Sequence, residues 1–381
     1  MAPALIRAAC GAVLLPLLAA GASGQGQRSG RGYGPGVCGP IDPSYVRTST
    51  ETGGQLLIVG TDEIARATAA IDPAFENEPI LWASAGGERT YSVPVDASIA
   101  RVAFIAAFDG KGGRLAVASP DGSPPSGVGV SDTPLHCGRI VSVDAPAGGA
   151  WQVSLAPTGR FWLAVRVKSE LSVDAEFVRE GGRPGHEGLF EIDGHPVAGR
   201  PATLRVRLWP TPWGDTFSLV SLDGRVLQDV ALHPVADDEF VGAVDLPPQA
   251  FRVAVRGIDE RGMPSQRMTA RLFRPQPIEV TAPAPASTSP GTSAALPFRI
   301  GNGGAGVRLT LTAVESSTGT VLPVDPPSLD LPAGGQGTAI VRLAVPREAG
   351  GRRLQVMLTA YADDGETGNY ATGAITVAPS R

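Results

Sequence analysis

The chain has 381 residues, a formal net charge of −5 and 43% hydrophobic residues, enough for roughly two to four domains that each bury a core. The charge is small and dispersed, with no basic stripe, which argues against nucleic acid as a partner. Lysine occurs only at Lys111 and Lys168, and the 49 glycines and 35 prolines supply many turns without making a low-complexity chain.

The first residues, "MAPALIRAACGAVLLPLLAAGASGQG", carry one cation (Arg7), an apolar run over 8–20 and small residues before Gln25. That pattern predicts a cleaved signal peptide over 1–24 and a secreted or periplasmic, bacterial-type protein. The run is too short, and with Gly11 and Pro16 too helix-breaking, to span a bilayer, and no transmembrane segment is expected elsewhere. Loss of Cys10 with the leader leaves Cys38 and Cys137, an even pair in an oxidising compartment. Joined, they would close a loop of ~100 residues, worth about 4–5 kcal/mol in the chain-entropy picture. Two unrelated thiols are the alternative. Residues 25–40 are Gly-rich and read as a flexible lead-in.

In "TETGGQLLIVGTDEIARATAAI" (50–71) a glycine turn precedes an apolar run, 56–59, that predicts a strand covered on both faces. Thr61, Asp62 and Glu63 then suit a helix start, and Ile64, Ala67, Thr68 and Ile71 share one helical face before Pro73 stops it. From Ile80 to Phe177 the pattern turns to β. "RTYSVPVD", "ARVAFIAAFDG", "GRLAVASPDGS", "GRIVSVDAP", "GAWQVSLAP", "GRFWLAVRVKS" and "LSVDAEFV" are runs of strand length between turn residues, which predicts a sandwich with Trp151, Phe161 and Trp162 in its core. After the polar stretch 179–196, a second β block shows period-two alternation at Leu204, Val206 and Leu208 and at Phe251, Val253 and Val255, with hairpin turns at Asp223-Gly224 and Arg261-Gly262. A third begins with "IEVTAP" and runs through "PFRIGNGG", "GVRLTLTAVES" and "GNYATGAITV".

"YVRTSTETGGQLLIVGTDEIARATAAI" (45–71) resembles the end of a von Willebrand factor A domain: its T-G-G turn, last strand and last helix. "LFEIDGHPVAGRPATLRVRL" and "FVGAVDLPPQAFRVAVRGIDERGMPSQRM" are similar to the Ig-like segment that follows a galactose-binding-like sandwich in hemicentins and their von Willebrand A-containing relatives. "PFRIGNGG" and "SLDLPAGGQGTAIVRLAVP" resemble NEW3-type Ig-like modules of exported bacterial proteins. The resemblance implies a mostly β chain of tandem β-sandwiches: an A-tail-like strand-helix piece at 41–73, a galactose-binding-like sandwich at 74–178, and Ig-like sandwiches at 179–273 and 274–381. The metal-binding D-x-S-x-S half of an A domain has no counterpart here. The nearest imitation, Asp121-Gly122-Ser123, lacks the second serine, so no metal site is carried over.

Candidate chemistry is sparse. The glycines of "TGGQ" precede the apolar run, whereas a phosphate loop lies between strand and helix. "SDTPLHCG" (131–138) gathers Ser, Asp, His and Cys, but a catalytic triad draws its base and orienter from separate loops, and no G-x-S-x-G elbow is present. A metal set is not formed by His136 beside Cys137 with His186, His195 and His233 scattered. "ADDEF" (236–240) and "YADDGETGNY" (361–370) read as solvated turns rather than calcium loops. In "LWPTPWGD" (208–215), Trp209, Trp213 and Asp215 are candidates to contact a sugar face or a partner, or else to pack at the sandwich edge. No catalytic residue, metal or cofactor is expected. The expectation is a non-enzymatic binding, adhesion or spacer protein whose ligand is an unidentified protein or glycan, with a separate cell-surface protein as a further partner. The alternative is a carbohydrate-recognising accessory protein, and the third reading is a hydrolase.

Overall fold

The computed structural model of the protein describes residues 38–71, 77–182, 187–210, 213–259 and 261–379. The expected signal peptide with Cys10, most of the lead-in, Pro73, His186 and Thr211-Pro212 lie outside the described residues. The fold is mostly β, built of tandem β-sandwiches behind a short helical segment. Among the described residues no helix is long and apolar enough to cross a membrane. The chain divides into two compact units. Unit 1 comprises 1–175, 206–240 and 251–272, and unit 2 comprises 176–205, 241–250 and 273–381.

Unit 1 opens with two helices, α1 (Pro43–Thr52) and α2 (Ile64–Ala70). α1 was not among the expected elements, although its signals are local. The Asp42 carboxylate accepts a hydrogen bond from Ser44 N at 2.8 Å, Pro43 sits in the first turn, and Gly53 closes the helix in the left-handed region at φ 67°. Gly53 also has no room for a side chain, because a Cβ there would lie 2.5 Å from Ala270 O. The T-G-G turn therefore ends a helix and does not lead into a strand. The strand expected at 56–59 is absent. Those residues belong to no sheet, and Leu56 is buried in a cluster with Trp82, Trp162, Ala164, Val220, Ala254 and Met268. An apolar run covered on both sides looks like a central strand even when only its side chains, and not its backbone, meet the neighbours. α2 falls where expected, with Ala67 buried and Ile64 partly so, while Thr68 points to solvent.

The first sandwich contains β1 (Asn77–Gly86), β2 (Arg89–Val95), β3 (Arg101–Phe108), β4 (Arg114–Ala118), β5 (Val130–Leu135), β6 (Gly138–Asp144), β7 (Gly149–Ala156) and β8 (Arg160–Lys168). One sheet runs β1-β8-β3-β6-β5 and the other β2-β7-β4. Phe104, Phe108, Trp151, Phe161, Leu163 and Val165 fill the space between them, with Phe104 stacked on Trp151 at 5.6 Å. Trp162 instead faces the opposite side of its sheet, toward Leu56. β3 and β8 are thus apolar on both faces.

The second block holds β9 (Ser172–Gly181), β10 (Gly188–Glu191), β11 (Pro201–Trp209), β12 (Thr216–Ser221), β13 (Val226–Val230), β14 (His233–Pro234), β15 (Glu239–Asp245), β16 (Phe251–Ile258) and β17 (Pro264–Met268), in sheets β10-β9-β11-β15-β14 and β13-β12-β16-β17. The run "LSVDAEFV", expected in the first sandwich, is β9 and pairs in the second block. Unit 1 nevertheless keeps the first residues of β9, since its first stretch runs to Ala175. Alternation identifies a strand but does not say which sheet receives it. Both expected hairpin turns are present, with Gly224 at φ 82° and Gly262 at φ 78°.

The third sandwich, in unit 2, comprises β18 (Ile278–Thr281), β19 (Ala286–Thr288), β20 (Ser293–Asn302), β21 (Val307–Glu315), β22 (Thr320–Leu322), β23 (Val324–Asp325), β24 (Ser328–Leu331), β25 (Gln336–Ala344), β26 (Arg353–Tyr361) and β27 (Gly368–Val377). Sheets β18-β20-β25-β23 and β19-β27-β26-β21-β22 enclose Phe298, Ile300, Leu309, Val341, Val356 and Leu358.

Within unit 1 the deepest polar contact is between Asp96, just after β2, and Arg267 on β17. Both side chains are 0% exposed, with Nη1 and Oδ2 2.8 Å apart. Ser98 and Ser169 accept from the same guanidinium, Leu171 O and Gln266 O take its remaining protons, and the Trp213 ring lies 5.8 Å away. Removing one partner of such a pair leaves an uncompensated buried charge. We expect Asp96→Asn to lower stability by about 3–5 kcal/mol, and the double change Asp96→Leu with Arg267→Met to cost much less. All five tryptophans belong to unit 1, so denaturant unfolding followed by tryptophan fluorescence reads this unit selectively.

Candidate functional site

The Trp209–Asp215 loop leaves the end of β11, and the structure separates its three candidates. Trp209 is 52% exposed. Trp213 is half-buried, donates from its indole nitrogen to Ser172 O at 3.4 Å, and presents its ring to the buried Arg267. Asp215 is exposed and accepts from Thr216 Oγ1 at 3.1 Å, while its backbone N–H donates to Arg256 O. Trp213 is therefore committed to the buried polar cluster, with a cation–π contact that strengthens as water is excluded. Trp209 is the member that faces solvent.

The Ser-Asp-His-Cys run disperses just as completely. Ser131 is exposed, and Asp132 pairs with Arg139, whose guanidinium holds its carboxyl below the usual range. His136 Nδ1 lies 3.0 Å from Glu63, and Cys137 is bonded to Cys38. Three of the four thus serve separate structural partners, and Ser131 lies at the surface. The T-G-G turn faces its surroundings with acceptors: Thr50 O takes a hydrogen bond from Arg252, and Gly53 O takes one from Arg166. A phosphate cradle needs donors there.

The acidic turns satisfy themselves. Asp121 accepts from Ser123 Oγ, Ser123 N and Ser119 Oγ at 2.7–2.8 Å, which lowers its pKa to about 2. Asp364 accepts from Glu366 N, Thr367 N and Thr367 Oγ1. Among the described residues no group of three or more His, Cys, Asp or Glu side chains could hold a metal ion.

Sequence reasoning did not anticipate a groove of about 860 Å³ within unit 2. Its walls come from β9, the 192–203 stretch, the 279–285 segment and β27. The charges along it are largely paired across the walls: Arg179 with Asp193 at 3.3 Å, and Arg200 with Glu279 at 2.6 Å. Asn369 fixes its floor, donating to His195 O and Ile278 O and accepting from His195 N. Tyr370, partly exposed, offers an aromatic wall. Paired charges and an aromatic edge thus line the groove. No local motif announces it, because its residues come from stretches nearly two hundred positions apart.

No protein-family model matches the chain, and no curated protein matches it. Among solved structures it is similar to a DUF4785 family protein from Legionella pneumophila, at 9% identity over 84% of this chain and 97% of that one, TM-score 0.36. Titin domains I67–I69 match at 12% identity over 80% of this chain and 97% of theirs, TM-score 0.19. A family 123 glycoside hydrolase from Clostridium perfringens matches at 10% identity and TM-score 0.22, and the chain spans only 28% of its length. At such identities and TM-scores none of these likenesses carries an argument about function.

The split of the tryptophan pair has a measurable consequence. Trp213→Ala should destabilise unit 1 by about 2–4 kcal/mol through the lost indole packing and cation contact. Trp209→Ala, at a ring 52% exposed, should cost less than Trp213→Ala, both read from denaturant midpoints. In NMR titrations the Asp121 carboxyl should titrate at about 2, and should return toward the ordinary aspartate range when Ser119 and Ser123 are both changed to alanine.

Proposed function

We propose that this chain is an exported, non-enzymatic module protein that binds, adheres or spaces, with a protein or glycan as its ligand. The observation that carries this reading is the use made of the buried charges in unit 1. Asp96, Arg267, Arg252 and Arg166 are turned inward to tie distant stretches of chain into one body. A scaffold of that kind presents loops and grooves at fixed positions, which suits recognition by shape. The Cys38–Cys137 disulfide supports export, since such bonds persist in oxidising compartments. We retain as part of the proposal the likeness to von Willebrand A-tail, galactose-binding-like and NEW3-type segments, which rests on the residues quoted for it; a helix does fall at Ile64–Ala70, whereas the strand expected before it is absent.

A second reading, carbohydrate recognition, is favoured by one observation, the exposed Trp209 at the end of β11. Sugar faces stack on such rings when a neighbouring polar group fixes their orientation. Hydrolysis is the weakest reading, because the residues that suggested it are engaged elsewhere.

Expression of the full chain with its leader should yield a periplasmic or secreted product that begins near Gln25 by intact mass. A cytoplasmic, uncleaved product would remove the export part of the proposal. Screening that product on a glycan array, with Trp209→Ala alongside, separates the two binding readings. Binding lost in the variant would favour carbohydrate recognition. An empty array, with no turnover of ester and glycoside substrates, would favour the protein-ligand or spacer reading.

A further inference from the structure

The N-terminal segment, 38–71, is held to the body of unit 1 by Arg252 on Thr50 O and Arg166 on Gly53 O at the end of α1, and at the β5–β6 turn by two chemically different bonds. The β5–β6 turn consists of Leu135 to Gly138, and its two central residues both reach this segment. Cys137 forms the disulfide with Cys38 at the segment's start. His136, next to it, donates from its backbone N to Glu63 Oε1 at 2.8 Å and places Nδ1 3.0 Å from Glu63 Oε2. Glu63 is itself fully buried, and it also accepts from Gly60 N at 3.0 Å and Arg66 at 3.0 Å. Among the described residues the charged groups that face Glu63 are thus Arg66 from α2 and His136 from the β5–β6 turn.

Beneath the segment lies apolar surface. Ala103, Ile105 and Ile140 on the outer face of the five-stranded sheet pack against Leu57, Ala70 and Ile71, and Trp82 and Trp162 pack against Leu56. At its far end the segment continues through the chain into β1. With Cys38 released, its first half is held by the Arg252 and Arg166 contacts at the end of α1 and by the packing of Ile41 and Val46.

We propose that residues 38–71 are a two-key strap: the Cys38–Cys137 disulfide is one key, the Glu63 carboxylate on His136 is the other, and the strap leaves the sheet only when both are withdrawn. The redox key turns by thiol–disulfide exchange with a dithiol reductant. That reductant gives up two electrons and two protons and becomes a disulfide, and Cys38 and Cys137 become thiols. The ionic key turns by protonation. Burial opposes the charge on Glu63 more than any other single influence, yet the hydrogen bonds from Gly60 and His136 and the His136 charge together hold its pKa below the usual glutamate value. A carboxyl lowered in the folded state stabilises above its unfolded pKa, and that contribution is lost as pH falls through the folded value. The strap therefore holds under either acid or reduction and yields to the two together.

Amide hydrogen exchange on the full chain tests this. Four samples are compared at pH 7: wild type and Glu63→Gln, each with and without a dithiol reductant, and a Cys38→Ser, Glu63→Gln double variant repeats the doubly withdrawn state without reductant. The expected result is unchanged protection of 54–71 in the first three. In the doubly withdrawn state, protection there should fall at least about a hundredfold, with β3, β8 and the third sandwich still protected. Wild type with reductant should move toward the doubly withdrawn state as pH falls well below the ordinary glutamate range, because the Glu63 carboxyl is held below it. Loss of protection on reduction of wild type alone would overturn the proposal, since the disulfide would then be the whole attachment. So would full protection in the double variant, or loss of protection throughout unit 1.

Discussion

A guanidinium with no exposed surface must find every one of its partners inside the protein, and Arg267 organises unit 1 through that requirement. Its partners come from the end of β2, from Ser98, from the stretch Ser169 to Leu171, and from the Trp213 loop. None of these pieces can shift without leaving a charge stranded in a low-dielectric site. The position of β17 relative to the first sandwich is thereby set by electrostatics as well as by apolar packing. Gln266, the neighbouring residue, adds a hydrogen bond to Ile80 O, and Tyr91 reaches Asp223 O on the β12–β13 turn.

The same device recurs at the N-terminal segment with a different counter-charge. Arg252 and Arg166 are buried together, and burial, then each other's charge, lowers the pKa of Arg252 to about 9. It remains charged at neutral pH. Its relief comes from carbonyls: Thr50 O at the C-terminal end of α1 and Ala270 O, with the Trp82 ring 5.0 Å below. The end of a helix is where cations are favoured, because the last carbonyls have no intrahelical partner. A strand-helix piece too small to fold by itself is replaced here by a helix whose exposed end is capped by arginines from the body it lies on.

Unit 2 is built differently. Its core is apolar, and its carboxylates are spent locally at turns or paired along the groove. Glu315 is an example, accepting from both backbone and hydroxyl groups of Ser317 and Thr318. Unit 1 thus buries a fully paired charge, whereas the long-range polar contacts of unit 2, such as Asn369 with His195, surround an apolar core. Unit 2 keeps an open groove with a tyrosine wall, while unit 1 turns most of its distinctive side chains inward and leaves Trp209 outside.

What the sequence by itself determined is what depends on near neighbours. Period-two alternation gave the strands around Leu204 and Phe251, the Asp-Gly and Arg-Gly pairs gave the hairpin turns, and the cysteine count gave the Cys38–Cys137 pair. Even α1 was legible in Asp42, Pro43 and Gly53, though the apolar run after it drew attention first. The tertiary structure alone decided which sheet receives β9, that residues 56–59 are buried without pairing, and that the candidate tryptophans part company. The groove and the Arg267 cluster belong to the same class. Asp96 and Arg267 stand 171 residues apart, and in its own strand Arg267 simply follows two other polar residues, Ser265 and Gln266. A charge declares itself buried only through partners that folding brings to it, and no local window of sequence contains them.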